Sequence, residues 1–274
     1  MKILSIADTP LAQIRYLNVS PGRKVVAEGL PILLGKVDKL PAGLQALVAA
    51  ADLQGYEYAN YKHGDCPRLL GEVVAESISD LASKGSLPPH GNVGILLAGD
   101  MYARPQMDRR GGSGDVRPVW RAFRDAGFRF VCGVAGNHDL FSDNSSRADF
   151  INFTSEEGII MLDGQVAVID TLRIGGVSGV VGNPAKPWRR DEQTMVRVTE
   201  DLLLENLDVL ICHDGPGFPQ SGLTGWESIA SALESINKPL LVIRGHSHWD
   251  VPMVEMECGT QILNVDGRVV VLTV

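Results

Sequence analysis

Several features that mark large classes of protein are scarce or missing in this chain. Its 274 residues include only 4 cysteines, Cys66, Cys132, Cys212 and Cys258, with no CxxC pair and no dense spacing. That pattern excludes a disulfide-stapled secreted scaffold and predicts reduced, mostly buried thiols. Positive charge is in deficit: 25 Lys and Arg stand against 33 Asp and Glu, a net charge of -8 with a pI near 5.3. This is the wrong sign for a protein that grips nucleic acid mainly through phosphates, although a local basic patch is compatible with it. No apolar run approaches the length of a membrane span, and the opening MKILSIADTP is too short an apolar stretch for a signal-peptide core. A cytoplasmic protein with no membrane contact is expected. Repeats, low-complexity tracts and linker-like breaks in composition are absent, so a single domain is expected over residues 1–274.

What is present is an ordinary globular composition, 45% hydrophobic and 21% charged, arranged as short apolar strands, polar glycine-containing turns and helices. Leu44 to Ala51 reads as a strand, Leu69 to Lys84 as a helix, Val93 to Ala98 as a strand, Val116 to Ala126 as a helix and Phe128 to Val134 as a strand. Later come strands at Val209 to Cys212 and Leu240 to Arg244, with helical spacing from Trp226 to Ile236 between them. Past residue 158 the Asp163-Gly164 and Asp266-Gly267 pairs are hairpin signals. These elements predict an α/β or α+β layered domain with mixed sheets.

Ligands in such sheets collect outside the carboxyl ends of the strands, so the polar residues there are informative. The first strand ends on Asp52 and Gln54, which share a face because alternate strand residues do. The next ends on Gly99-Asp100, the third on Gly136-Asn137-His138-Asp139, the fourth on His213-Asp214-Gly215, and the fifth on Gly245-His246-Ser247-His248. Imidazoles mixed with carboxylate and amide oxygens suit transition ions better than Mg or Ca.

This ordered set, Asp-x-Gln, Gly-Asp, Gly-Asn-His-Asp, His and Gly-His-Ser-His over residues 52 to 248, resembles the calcineurin-like metallophosphoesterase superfamily. The resemblance implies a four-layer α/β sandwich of two mixed sheets flanked by helices, with a dinuclear centre at the sheet ends. It implies that Asp52, Gln54, Asp100 and His248 hold one divalent ion, and Asp100, Asn137, His213 and His246 the other. Mn2+ is the first expectation, with Fe, Zn2+ and Ni2+ as alternatives. It further implies hydrolysis of a phosphodiester or phosphomonoester by a metal-bridging hydroxide, with His138 as general acid and Asp139 orienting it. The family usually has His where Gln54 stands, and a neutral amide oxygen is a harder and weaker donor.

Other candidates are read from the residues alone. Met1 to Asp8 also looks like a strand ending on an acid, but Thr9 and Pro10 follow it and offer no second ligand. The helix over Leu69 to Lys84 supplies the crossover needed between Asp52 and Asp100. Residues 1–43 are then expected to add a strand or two at a sheet edge. Arg104, Arg109 and Arg110, in the loop after Asp100, can fork onto a phosphate or simply be solvated. Trp188 and Arg189 offer a stacking face beside a cation, or a loop root packed against the core. Trp249 can be wall or core, and His63 and His90 are expected at the surface, with His63 near the cleft. The loop after Asp100 lacks the Val-Asp-Arg-Gly of serine/threonine phosphatases, and Tyr102 is misplaced for a purple acid phosphatase. A small-molecule or nucleotide phosphoesterase, favouring diesters, is therefore expected. A nuclease and a metal-poor, protein-binding scaffold are the alternatives.

Overall fold

A computed structural model describes residues 1–59, 67–142, 147–236 and 238–274, Arg147 by its backbone alone. Cys66 and His63 lie outside the described residues. The chain begins with β1 (Ile3–Ile6), β2 (Ala12–Val19), β3 (Val25–Val37), β4 (Ala46–Ala50), β5 (Tyr56–Glu57) and α1 (Leu70–Ser83). Next come β6 (Val93–Leu97), β7 (Gly114–Asp115), α2 (Arg117–Asp125), β8 (Phe130–Gly133), β9 (Asp139–Leu140), α3 (Arg147–Thr154) and β10 (Ile159–Met161). The remainder holds β11 (Gln165–Ile169), β12 (Leu172–Val177), β13 (Val180–Val181), β14 (Arg189–Arg190), α4 (Glu192–Leu203), β15 (Val209–Cys212) and α5 (Glu227–Glu234). It closes with β16 (Leu241–Arg244), β17 (Met253–Glu255), β18 (Gln261–Asn264) and β19 (Val269–Thr273).

Among the described residues the strands form two short two-stranded sheets, β7 with β9 and β13 with β14, and two large mixed ones. The larger has nine strands, ordered β10-β8-β6-β4-β19-β3-β2-β5 with β1 on β3; its β4, β6, β8 and β10 are mutually parallel. The smaller has six, ordered β11-β12-β15-β16-β18-β17, parallel inside and antiparallel at both edges. The reason is visible in β4, Ala-Leu-Val-Ala-Ala, where every residue is buried. Ala46, Val48 and Ala50 pack with Val74 and Ile78 of α1 and Trp120 and Phe123 of α2. Leu47 and Ala49 face the other way, onto Ile174, Ile211 and Ile243 of the smaller sheet. A strand covered on both faces must be apolar at consecutive positions. Beyond the smaller sheet, Leu210, Val242 and Ile262 meet Met195 and Leu202 of α4 and Ile229 and Leu233 of α5. Helices, sheet, sheet and helices make four layers, the sandwich expected from the sequence.

Two expectations are corrected. Neither Asp-Gly pair closes a hairpin: β10 and β19 belong to the larger sheet, β11 and β18 to the smaller. The turns form, with Gly164 at φ 82 and Gly267 at φ 72, but each carries the chain from one sheet to the other. A tight turn sets the change of direction, whereas the pairing partner is set by which sheet buries the strand. The first 43 residues contribute three strands rather than one or two, and β3 lies inside the sheet between β19 and β2. Among the described residues no helix is long and apolar enough to cross a membrane.

Candidate metal centre

The polar strand-end residues converge where β4, β6, β8, β15 and β16 finish. Asp52, Asp100 and His246 each take a left-handed backbone, with φ of 53, 57 and 68. Side-chain-bearing residues reach that region only at a cost of order 1 kcal/mol or more, and such outliers cluster at functional sites. The surrounding glycines make the turns feasible. A Cβ on Gly136 would strike Asp100 Oδ1, and one on Gly245 would strike Asp52 Oδ2.

Asp100, His213 and His246 each present a ligand atom, all within 4.8 Å of one another. His213 is fully buried; its Nδ1 lies 2.7 Å from the Ala98 carbonyl. That contact puts a proton on Nδ1 and turns Nε2 toward Asp100 Oδ2 at 3.5 Å. Burial opposes charge on His213, but Asp100 and then Asp52 outweigh it and push the imidazole up to about 10. The pocket thus favours a cation. Burial likewise drives Asp52 well above the usual carboxylate range. Asp52 Oδ2 accepts the His246 N–H at 2.8 Å, tying the first motif to the last. Gln54 donates Nε2–H to Asp100 Oδ2 at 2.9 Å. Asn137 is buried, and both its Oδ1 and His213 Nε2 find no hydrogen-bond partner among the described residues. A divalent cation, taking the place of a proton on Nε2, would satisfy both buried atoms, so these residues fit a metal centre. Asp52, Gln54, His246 and His248 together line a cavity of about 680 Å³.

The calcineurin-like phosphoesterase family pattern matches residues 47–250. The chain belongs to this family. No curated protein matches it. One solved crystal structure aligns with a TM-score of 0.54 at 10% identity, covering 82% of this chain and 90% of that one. The Thermus thermophilus sulfate thiohydrolase SoxB, in complex with glycerol, aligns with a TM-score of 0.44 at 14% identity, over 84% of this chain and 53% of that one.

Within this phosphoesterase, Asp139 takes a different role from the one the resemblance implies. Its carboxylate is completely buried and accepts Asp100 N–H and Gly136 N–H on Oδ2, at 2.9 and 2.8 Å, and Met101 N–H on Oδ1 at 2.9 Å. It staples the two ligand-bearing loops together, while the His138 ring meets Ser113 Oγ at 3.2 Å through Nδ1. Burial and then Asp100 push Asp139 up to about 6, against the pull of those N–H donors. His138 is half-buried, and its N–H donates to Asp100 Oδ1 at 2.9 Å.

The proposed substrate residues divide. Arg110 lines the cavity. Arg104 instead pairs with Asp108 at 3.1 Å, Arg109 is exposed, and Arg189 donates to the Pro187 carbonyl at 3.1 Å. Trp188 packs edge-on against Phe141 and Phe150 and donates Nε1–H to the Asp139 carbonyl at 2.7 Å, so its ring is committed to a loop root. Trp249 is core, with the Arg244 guanidinium 4.9 Å from its ring centre. Asp8 is exposed, and His90 bonds Ser79 at 2.8 Å.

Sequence reasoning missed the residues that hold the ligand loops. Arg244 is fully buried and donates to the carbonyls of Gly245, Pro216 and Thr224. Ser178 accepts Ala135 N–H and donates to the Leu162 carbonyl. Asp214 accepts from Trp226 Nε1 and Val181 N. Asp266 stands 3.8 Å from His248 Nδ1. Asp214 was adjacent to a motif and Asp266 sat in a turn dipeptide, the only signals available. Tyr16, Asn18 and Glu28, from the N-terminal strands, also line the cavity.

Proposed function

We propose that the chain is a dinuclear metal-dependent phosphoric ester hydrolase acting on a small phosphorylated molecule, with a diester preferred to a monoester. The observation that carries this reading is the convergence of Asp100, His213 and His246 within 4.8 Å, together with the buried Asn137 Oδ1 and His213 Nε2, which have no hydrogen-bond partner among the described residues. Asp52, Gln54, Asp100 and His248 would hold one divalent ion and Asp100, Asn137, His213 and His246 the other, with Mn2+ ahead of Fe, Zn2+ and Ni2+. When bound, such a pair neutralises phosphoryl oxygens and eases the ionisation of water.

The protein's own groups do the rest. Asp100 is held for sharing, with Oδ1 on the His138 N–H and Oδ2 toward Gln54 and His213. With Nδ1 beside Ser113, His138 has Nε2 free of protein partners among the described residues and can protonate a leaving alkoxide there. Asp52, Glu28 and Asp266 line the cavity, with Glu28 paired to Arg110 at 3.1 Å. The chain's net charge of -8 disfavours a polyanionic nucleic acid. A metal-poor scaffold would have shed ligands, whereas this chain exchanges one, at Gln54. Cys132 and Cys212 are buried free thiols, in keeping with a cytoplasmic location.

The test is elemental analysis of the purified protein and hydrolysis of bis-p-nitrophenyl phosphate and p-nitrophenyl phosphate with Mn2+. Faster turnover of the diester is expected, with His138→Ala losing roughly a hundred- to ten-thousandfold in kcat while retaining metal. Failure to bind metal or to turn over either ester overturns the reading.

A further inference from the structure

Outside the matched residues 47–250, the hairpin of β2 and β3 builds the outer wall of the same cavity. Tyr16 pairs in register with Glu28, and Asn18 shares the face of Tyr16. Three donors converge on one oxygen, Glu28 Oε2: Tyr16 O–H at 2.7 Å, Asn18 Nδ2–H at 3.0 Å and Arg110 Nη2–H at 3.1 Å. Glu28 Oε1 accepts nothing from the described residues. Burial, reinforced by Glu28, pushes the Tyr16 phenol up to about 12, so it stays a donor. The wall is fixed relative to the metal ligands: Leu17 pairs with Tyr56, and a Cβ on Gly55, next to Gln54, would strike the Tyr16 ring.

We propose that this wall is a subsite for the alcohol portion of the substrate, which carries a vicinal diol of glycerol or ribose type, and that Glu28 is the specificity-determining residue. The charge of Arg110 is compensated by Glu28, so the wall does not act as a clamp for a second phosphate. It presents an open carboxylate oxygen as acceptor and the remaining guanidinium N–H groups as donors, the complement of neighbouring hydroxyls; a carboxylate taking a ribose hydroxyl is a recurring solution. This inference rests on the hydrolase reading for the identity of the site, but it is tested by binding alone.

The experiment is calorimetric titration of the Mn2+-loaded protein with two matched pairs of monoesters. The pairs are sn-glycerol 3-phosphate against propyl phosphate, and uridine 5′-monophosphate against its 2′-deoxy counterpart. At least one hydroxylated partner is expected to bind about tenfold tighter than its deoxy analogue, the scale of one hydrogen bond to a charged group in a half-exposed site. The pair that shows the difference tells glycerol from ribose. Glu28→Ala is expected to erase the difference with metal content retained. Glu28→Gln, which keeps the side-chain volume should the alanine variant fold poorly, is expected to reduce it. Equal binding within both wild-type pairs, or a preference that survives in the Glu28 variants, overturns the proposal. A protein that shows the preference but hydrolyses no ester would overturn the hydrolase reading while leaving the subsite standing.

Discussion

Replacing Asp139 by asparagine separates two roles for a buried acid. The carboxylate takes Asp100 N–H and Gly136 N–H on one oxygen and Met101 N–H on the other. Asparagine can keep the first two with its single oxygen but then turns an NH2 toward the Met101 N–H, leaving a buried donor facing a donor. The stranded donor costs about 1–3 kcal/mol, and the other two bonds lose their charge assistance, each becoming roughly half as strong. Removing a buried charge, whose burial already pushes Asp139 up to about 6, recovers part of that. A net loss of about 2–3 kcal/mol corresponds to a fall of roughly 5–10 °C in melting temperature for a domain of this size. Because the stapled loops carry Asp100 and Asn137, metal retention should fall as well. The assays are thermal denaturation and elemental analysis after dialysis, with the pH profile of ester hydrolysis alongside. The reasoning is refuted if the variant keeps the wild-type melting temperature and metal content yet shows the pH-profile defect of His138→Ala, because Asp139 would then act through the imidazole.

Gln54→His should tighten Zn2+ at the site holding Asp52, since imidazole is a softer and stronger donor than an amide oxygen; a metal titration with unchanged affinity would count against Gln54 as a ligand. Arg244→Leu should destabilise by about 3 kcal/mol, read by chemical denaturation, because it strands the carbonyls of Pro216, Thr224 and Gly245 in the interior and loosens the loop carrying His246 and His248. Glu156 is held below the usual carboxylate range by its hydrogen bond to Arg121, with Arg124 adding to the effect. A depressed acid contributes stability that is present above its unfolded value and is lost as pH falls through the folded one. Unfolding measured from neutral pH down through the carboxylate range should therefore show a shallower acid limb in Glu156→Gln than in the wild type; identical limbs would remove the pair from the account.

The elements around the site were legible because each depends on local chemistry. The all-apolar run of β4 announces a strand buried on both faces, and helical spacing from Leu69 to Lys84 anticipates α1, observed as Leu70–Ser83. The positions of Asp52, Asp100, Asn137, His213, His246 and His248 at strand ends were readable for the same reason: a strand that must bury every residue cannot carry such groups until it leaves the sheet. The Asp-Gly turns misled because turn chemistry is local and strand pairing is not; β18 and β19 are joined by a tight turn yet lie in different sheets. Asp139 misled for a related reason. Adjacent to His138 in the chain, it turns its carboxylate into the backbone of neighbouring loops, accepting from Asp100, Met101 and Gly136.

By itself, then, the order of residues determined the class of fold, the set of ligand-type side chains and their chemistry, because composition, periodicity and motif spacing act over a few residues at a time. Only the tertiary structure decided that Asp139 is a staple, that Trp188 is spent on an aromatic cluster, and that Arg110 faces the cavity with Glu28 as its partner. Glu28 and Arg110 are 82 positions apart, and the pairing of β3 with β2 and β19 is what brings that wall to the metal end of the sheet. Contacts of that range depend on which sheet buries which strand, a choice made by the whole core at once.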